Sequence, residues 1–248
     1  MIPWLSVTNH YFPPTNTALA DPNGLLAAGG DLTPERLIKA YRTGIFPWFS
    51  DGEPILWWSP APRCVLPLAQ LHISKSLAKL IRKNKFKVTF DTAFCEVIEQ
   101  CSAMREHQEG TWITPEMKTA YSALHSRNVA HSVEVWHEDQ LVGGLYGLAI
   151  GNIFFGESMF SKQSNTSKIA FCYLVNQLRK WNFSVVDCQV HSDHLESLGA
   201  IEINRTQFTN YLANIDNSSL NTTDQQVNDN QPRNLTKWHC DLQPNTIK

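Results

Sequence analysis

The sequence predicts an α+β fold, and the order of its apolar segments carries this prediction. Three strand-like stretches follow one another with short turns between them, at residues 131–136, 141–150 and 153–160. A helix-period stretch then ends near Trp181, and another strand-like stretch follows at 183–190. A β-meander followed by a helix and a further strand is typical of α+β domains built around one sheet.

Cap residues mark where the helices in this order begin. Ser, Thr and Asp are favoured just before the first helical residue, because their side chains accept a hydrogen bond from a free backbone N–H. Proline suits the first helical position, and glycine suits the residue after the last. These rules predict four helix starts, with caps at Thr33, Thr114, Ser164 or Thr166, and Asp193.

Residues 1–62 differ in composition and are predicted to form a small N-terminal domain. Five aromatic residues stand within thirteen positions: Phe46, Trp48, Phe49, Trp57 and Trp58. Such rings commonly fill a small core that is short of secondary structure. The alternative is that one or two of them project into a cleft and stack on a nucleic-acid base.

A basic stretch follows at residues 72–90. It contains six positive side chains and no acid, although the whole chain has a net charge of −2. Helical spacing places four of them on one face: Lys75, Lys79, Arg82 and Lys83. Two interpretations stand side by side, a solvated helix face and a surface that binds nucleic-acid phosphates.

Two acids lie in strand-like apolar stretches. Because side chains alternate along a strand, Glu157 and Met159 are expected on one face, and Asp187 and Gln189 on one face. Buried polar groups are costly unless they are used or paired. We interpret the two strands as the floor of a site. The alternative is that both acids are structural, satisfied by backbone N–H groups or by Lys168.

Other features limit the class of protein. The six cysteines form no CxxC pair and no zinc-like spacing, so we expect no metal site and a reducing compartment. The N-terminus has no signal-peptide pattern, and no stretch is long and apolar enough to span a membrane. Residues 214–248 are polar and predicted to be a mostly disordered tail, although Trp238 could dock. No feature indicates an obligate interface, and we expect a monomer.

Several longer motifs resemble one protein family. They span residues 12–208 and read PNGLLAAGGDLTPERLIKAYRTGIFPWF, PILWWSPAPR, GTWIT, AHSVEVW, LVGGLYG, FFGESMFS, SNTSK, and DCQV followed by HLESLGA. On these motifs the chain resembles the leucyl/phenylalanyl-tRNA–protein transferases. Ala61, Asn128 and Leu145 depart from residues common in the family. Asn tolerates the left-handed backbone expected at 128, and Leu145 could slightly reshape an amino-acid pocket.

The resemblance implies a fold and an activity. The fold is a small N-terminal domain (1–62), an N-acetyltransferase-like (GNAT-like) catalytic domain (63–213) and the tail (214–248). The activity is transfer of leucine or phenylalanine, less often methionine, from aminoacyl-tRNA to the α-amine of proteins that begin with Arg or Lys. The product is marked for degradation in the cytoplasm, and no metal or coenzyme is implied.

This reaction needs a group near the attacking amine. A free α-amine has a pKa of roughly 8, so a nearby carboxylate can hold it and accept its proton. We predict Asp187 as that base, with Gln189 holding the amine or the ester carbonyl. Glu157 is predicted to orient Gln189 or the amine. The two acids could also supply the negative charge that an N-terminal Arg or Lys requires. In the alternative, the terminal hydroxyl of the tRNA shuttles the proton, and Asp187 only positions the amine.

Three further groups of residues are predicted to bind substrate. We predict an apolar pocket for the aminoacyl side chain, lined by Leu145, Phe154, Met159, Phe171, Leu174 and Val186. The wall of such a pocket would also be part of the hydrophobic core. By the resemblance, the terminal adenosine stacks on Trp48 and Trp112, with Tyr41 nearby. The tRNA phosphates are expected to contact Lys75, Lys79, Arg82 and Lys83.

Two other functions fit parts of the sequence. A coenzyme A-dependent N-acyltransferase would share the fold, but the segment 161–168 has no glycine for a pyrophosphate cradle and the basic helix would have no role. A non-enzymatic RNA-binding module would use the aromatic residues and the basic helix. It would leave Glu157, Asp187 and Gln189 without a purpose.

Overall fold

The computed structural model describes residues 2–106, 112–217, 238–240 and 242–247. Near the N-terminus a small sheet has the strand order β1-β2-β4-β3. Its strands are β1 (Trp4–Leu5), β2 (Leu25–Gly29), β3 (Phe46–Pro47) and β4 (Leu56–Trp58). The helix α1 (Pro34–Arg42) lies between β2 and β3 in the chain and ends before Gly44, whose φ of +78° suits glycine.

The remaining strands form one seven-stranded sheet in the order β11-β5-β10-β9-β8-β7-β6. Their bounds are β5 (Arg63–Pro67), β6 (Lys87–Phe90), β7 (Ala130–His137), β8 (Gln140–Ile150), β9 (Ile153–Ser161), β10 (Val185–Gln189) and β11 (Ile201–Ile203). The pair β9–β10 is parallel, and the other neighbours are antiparallel. The predicted meander corresponds to β7, β8 and β9, and the α+β class is confirmed.

Helices cover both faces of this sheet. They are α2 (Lys75–Arg82), α3 (Phe94–Glu106), α4 (Pro115–Ser126), α5 (Thr166–Lys180), α6 (Asp193–Glu196) and α7 (Arg205–Asn217). One hydrophobic cluster joins the N-terminal sheet, α1, α3, α4 and α7 to one face, and a second joins α2 and α5 to the other. Among the described helices, none has the length and apolar character needed to cross a membrane.

The helix caps agree fully with the sequence rules at Thr114, agree in position only at Thr33, and differ at the other two starts. The hydroxyl of Thr114 accepts a hydrogen bond from the Met117 N–H at 3.3 Å, as predicted. Thr33 precedes α1, but its hydroxyl donates to Asp31 instead. The prediction was wrong at the other two starts, because Asn165 precedes α5 in a left-handed conformation (φ +66°) and Ser192 caps α6.

The strands β9 and β10 pair only near their starts. The last paired residues are Phe155 and Asp187, and each strand has an extra residue beyond them. On β9 the extra residue is Glu157, and on β10 it is Cys188, which precedes Gln189 with φ of +64°. Because a bulge bends its strand, the two strands separate at this point and leave a cavity between them.

The two sheets divide between residues 58 and 63, but their core is continuous. Trp57 of the small sheet and Phe155 of the large sheet belong to the same buried cluster. At the other end of the chain, α7 continues past residue 213 to Asn217, and Trp238 and Leu242 pack on the second cluster. The segment 218–237 of the predicted tail lies outside the described residues.

Candidate active site

A cavity of about 610 Å³ opens where β9 and β10 separate. All six residues predicted to hold the aminoacyl side chain line it: Leu145, Phe154, Met159, Phe171, Leu174 and Val186. They come from β8, β9, α5 and β10 and belong to, or pack against, the second hydrophobic cluster. The structure therefore brings this predicted set together around one apolar space.

Glu157 is held at the edge of this cavity by three hydrogen-bond donors. The hydroxyl of Tyr41 donates to Oε1 at 2.7 Å, and the hydroxyl of Tyr121 donates to Oε2 at 2.8 Å. The side-chain amide of Gln189 also donates to Oε1, at 2.8 Å. The donors come from α1, α4 and β10, so three separate parts of the fold fix the position of one carboxylate.

Burial controls the protonation of this group. It raises the pKa of Glu157 from 4.5 to about 7, even though the three donors favour the carboxylate and lower the pKa. The negative charge of nearby Asp187 adds to the increase. Burial, together with the charge of Glu157, raises the pKa of Tyr41 and Tyr121 well above 10. Both phenols therefore stay protonated and remain donors.

The bulge on β9 changes which way Glu157 points. Simple alternation predicts that Glu157 and Met159 share a face of the sheet. Instead Glu157 bonds to Tyr41 and Tyr121, which belong to the first cluster, whereas Met159 packs against the second. The extra residue shifts the alternation by one, so the expectation of a shared face was wrong. Both residues still line the cavity.

Asp187 is paired inside the protein and does not line the cavity. Its two oxygens accept hydrogen bonds from Nε and Nη2 of Arg63 at 2.9 and 2.7 Å, and both side chains are buried. Its Oδ1 also accepts the backbone N–H of Gln189 at 2.9 Å. This geometry supports a positioning role and gives no support to the predicted role as the base.

Arg63 is a residue that the sequence reasoning missed. Its guanidinium also donates to the carbonyl of Gly44 at 3.2 Å and lies over the rings of Phe46 and Phe208, 4.8 and 4.6 Å from their centroids. The arginine stood in one of the recognised motifs, PILWWSPAPR, but was given no role. The sequence signal was a positive charge in a strand-like apolar stretch, since a buried arginine needs an acidic partner, but the sequence did not show which acid lies next to it.

Two predicted adenosine-binding residues stand at the rim of the cavity. Trp48 is 41% exposed, and its ring centroid lies 6.1 Å from that of Trp112 at an angle of 82°. The indole N–H of Trp58 donates to the Trp48 carbonyl and fixes this corner. Tyr41 is fully buried and is not part of the cavity wall, so its ring offers no surface to a base.

The predicted phosphate contacts lie on an exposed surface. Lys75, Lys79, Arg82 and Lys83 are all exposed on or next to α2, while Leu77 and Ile81 face the second cluster. The hydroxyl of Ser74 caps the helix by accepting the N–H of Leu77. The helix packs against α5, one of the helices that form the cavity wall.

The start of α5 shows whether a coenzyme pyrophosphate could bind there. The Oγ of Ser161 already accepts the N–H of Ser167 at 2.9 Å, and the Thr166 hydroxyl bonds to the carbonyls of Val142 and Gln163. The N–H of Ser167 is therefore already bonded within the segment and is not free to bind a phosphate. Lys168 contacts Ser197 at 2.8 Å. It is thus not the partner of the two acids.

One group of possible metal ligands exists among the described residues. His191, Asp193 and Glu196 have ligand atoms within 4.8 Å of one another around α6, but all three are exposed. Exposed groups of this kind are common without an ion, and we assign no metal to them.

Comparison with known proteins gives the family. A sequence model described as leucyl/phenylalanyl-tRNA protein transferase matches residues 65–213, and a model of the N-terminal domain of that transferase matches residues 30–61. The chain belongs to this family. It is therefore an aminoacyltransferase that uses aminoacyl-tRNA, and the resemblance stated from the motifs is confirmed.

Other leucyl/phenylalanyl-tRNA–protein transferases are similar over most of their length. The protein of Pseudomonas putida (strain W619) is 58% identical over 213 residues, which cover 86% of this chain and 94% of the relative. The protein of Cellvibrio japonicus (strain Ueda107) is 57% identical over 212 residues, covering 86% and 90%.

Among solved structures, an aminoglycoside acetyltransferase from an uncultured soil metagenomic sample is similar over 59% of this chain and 94% of its own. The sequence identity is 16% and the TM-score is 0.36. A possible acetyltransferase from Clostridium difficile 630 covers 58% and 93%, with 13% identity and a TM-score of 0.34. The two family models place an N-terminal domain, matched at residues 30–61, before the main domain, matched at residues 65–213, in the predicted order.

Proposed function

We propose that this transferase moves leucine or phenylalanine, and less often methionine, from aminoacyl-tRNA to the α-amine of proteins that begin with Arg or Lys. The observation that supports this best is the apolar cavity with Glu157 and Gln189 at its edge. The apolar wall of the cavity suits a leucyl or phenylalanyl side chain, and the polar pair lies beside it. We propose further that the reaction takes place in the cytoplasm and marks the product for degradation.

The chemistry asks little of the enzyme beyond positioning. The α-amine of the acceptor attacks the carbonyl carbon of the aminoacyl ester and forms a peptide bond. The bond from that carbon to the ribose oxygen breaks, and the proton lost by the amine ends on the released ribose hydroxyl. Because the ester is already activated, bringing both partners into one cavity provides most of the acceleration.

Glu157 is the carboxylate that can meet the amine. Its pKa of about 7 is close to that of an α-amine, roughly 8, so a proton can pass between them with little cost near neutral pH. Gln189 orients the carboxylate, and Asp187 with Arg63 holds the backbone of Gln189. A proton shuttle through the terminal ribose hydroxyl is compatible with the same positions.

The tRNA would be held at two places. The terminal adenine stacks at the rim on Trp48 and Trp112, and stacking of this kind tolerates any base. The acceptor-stem phosphates lie along the exposed basic side chains of α2. Contacts to phosphate fix position without reading sequence, so one enzyme can accept tRNAs for different amino acids.

The direct test follows label from leucyl-tRNA to protein. The purified enzyme is incubated with radiolabelled leucyl-tRNA and one acceptor protein, made with Arg, Lys or Ala at its N-terminus. Label on the Arg and Lys forms only is the expected result. Equal label on the Ala form would contradict the proposed acceptor specificity, and no label on any form, with tRNA still bound, would favour the RNA-binding alternative. Saturable binding of acetyl-coenzyme A would instead revive the acyltransferase alternative.

A further inference from the structure

Trp238 stands inside a group of aromatic side chains. Its indole stacks on the ring of His131, with centroids 3.8 Å apart and planes 11° from parallel. Four more rings lie 4.8 to 6.4 Å from it: Phe90, Phe154, Trp181 and Phe183. Aromatic pairs attract one another at such separations. The described part of the C-terminal segment is therefore anchored on the second hydrophobic cluster.

Phe154 connects this anchor to the active site. Its buried ring lines the cavity, and the same ring lies 6.0 Å from Trp238. Another neighbour is Gly147 on β8, where an added Cβ would come within 2.6 Å of Cε1 of Phe154. The backbone of β8 and the indole of Trp238 thus restrict the position of the Phe154 ring. Trp238 itself does not line the cavity.

We propose that Trp238 is a positioning residue that determines amino-acid specificity. By holding the ring of Phe154 in the cavity wall, it sets the depth that the cavity offers to the aminoacyl side chain. This inference rests on the proposed function, which assigns the cavity to that side chain. Trp238 lies outside residues 30–61 and 65–213, the ranges that the family models match.

The expected effect follows from packing. Protein interiors are close-packed, so loss of the indole leaves a space into which the ring of Phe154 relaxes. A deeper cavity favours the longer phenylalanyl side chain and loses contacts to leucyl. A methylene group in direct contact with an apolar pocket discriminates by about 10- to 200-fold. For a displaced wall we expect a smaller change, about 3- to 10-fold, in the preference for Phe over Leu.

The experiment measures kcat/KM for phenylalanyl-tRNA and for leucyl-tRNA with one Arg-initiated acceptor. The ratio of the two values does not depend on the fraction of folded enzyme, so a loss of stability cancels. We expect the ratio to rise in Trp238→Ala and to return towards the wild-type value in Trp238→Phe. Asn245→Ala, an exposed change in the same segment, is the matched control and should leave the ratio unchanged.

A second variant separates this inference from the proposed function. Met159 lines the cavity directly, so Met159→Ala should shift the same ratio if the cavity holds the aminoacyl side chain. A shift in Met159→Ala without one in Trp238→Ala or Trp238→Phe would overturn the role of Trp238 and leave the pocket assignment intact. No shift in any of the three would overturn the pocket assignment, and the inference with it.

Discussion

The guanidinium of Arg63 binds both carboxylate oxygens of Asp187, at 2.9 and 2.7 Å, in the buried interior beside the cavity. The two residues are 124 positions apart in the sequence and lie on neighbouring strands, β5 and β10. Because Asp187 also accepts the N–H of Gln189, this ion pair fixes the place where β10 turns away from β9. A charge pair of this kind is better suited to holding a backbone than to exchanging protons.

Removing one partner of the pair should be severe. In Asp187→Ala, the positive charge of Arg63 stays buried without its partner, which typically costs about 3–5 kcal/mol of folding free energy. We expect urea unfolding to show a loss of this size. The double variant Arg63→Met with Asp187→Leu should lose much less, because no charge is left unpaired. An Asp187→Ala protein as stable as the wild type would contradict the structural role.

Glu157 should control how both activity and stability depend on pH. Between pH 4.5 and 7 the unfolded carboxyl loses its proton while the folded one keeps it, so the free energy of unfolding falls as pH rises. The decrease should reach at most about 3 kcal/mol and be complete above pH 7. In Glu157→Gln this decrease should disappear. The measurement is urea unfolding of both proteins from pH 4.5 to 8.

The transfer rate gives the second readout of the same variant. If the carboxylate form of Glu157 meets the amine, the single-turnover rate should begin to rise through a pKa near 7, below the pKa of roughly 8 of the amine itself. Glu157→Gln should be slower and should keep only the rise near pH 8. A variant that keeps the wild-type rate profile would remove Glu157 from the proposed chemistry.

Trp112 should contribute directly to binding of the terminal nucleoside. Loss of one base-stacking ring typically weakens binding by about 1–3 kcal/mol. We therefore expect Trp112→Ala to bind a stable phenylalanyl-adenosine analogue more weakly by this amount in calorimetry. Trp4 is 72% exposed and lies outside the cavity wall, so Trp4→Ala is the matched control. If the two variants bind the analogue with equal affinity, Trp112 has only a structural role.

The basic surface of α2 should determine the salt dependence of tRNA binding. Each phosphate contact contributes about 0.7–0.9 to the slope of log K against log salt concentration. Changing Lys79, Arg82 and Lys83 to Gln should lower that slope by about two to three.

The control for this test removes the same charge from the opposite side of the sheet. Lys39 and Lys118 lie on α1 and α4, and Arg127 directly follows α4. Their triple change to Gln should leave the slope as it is. If both triple variants lower the slope equally, the effect reflects net charge and α2 is only a solvated face.

Local patterns predicted much of this molecule correctly. The meander and the helix after it depend on periodicity within about 15 residues, which the sequence displays directly. The prediction that six apolar residues line one cavity also agrees with the structure, because these residues lie on the strands and the helix that the periodicity predicts. Boundaries were less accurate. Asn165 and Ser192, not the residues expected, precede their helices, since several polar residues stand together at both places.

The errors arose where distant residues or a bulge decide the outcome. The bulge at Glu157 turns this side chain to the other face of the sheet from the one that simple alternation predicts. No pattern in the sequence predicts the bulge. The pairing of Asp187 with Arg63 joins strands that are remote in sequence, so alternation along one strand could not reveal it. Tyr41 was assigned to adenosine, whereas its hydroxyl is bound to the carboxylate.

The three donors that hold Glu157 emerge at very different times as the chain is synthesised. Tyr41 is 116 residues before Glu157, Tyr121 is 36 before it, and Gln189 is 32 after it. A nascent or clipped chain that lacks any one of them cannot form all three hydrogen bonds to this carboxylate. Catalytic competence is thereby tied to completion of the whole fold. We therefore expect fragments of the enzyme to transfer no amino acid to other proteins.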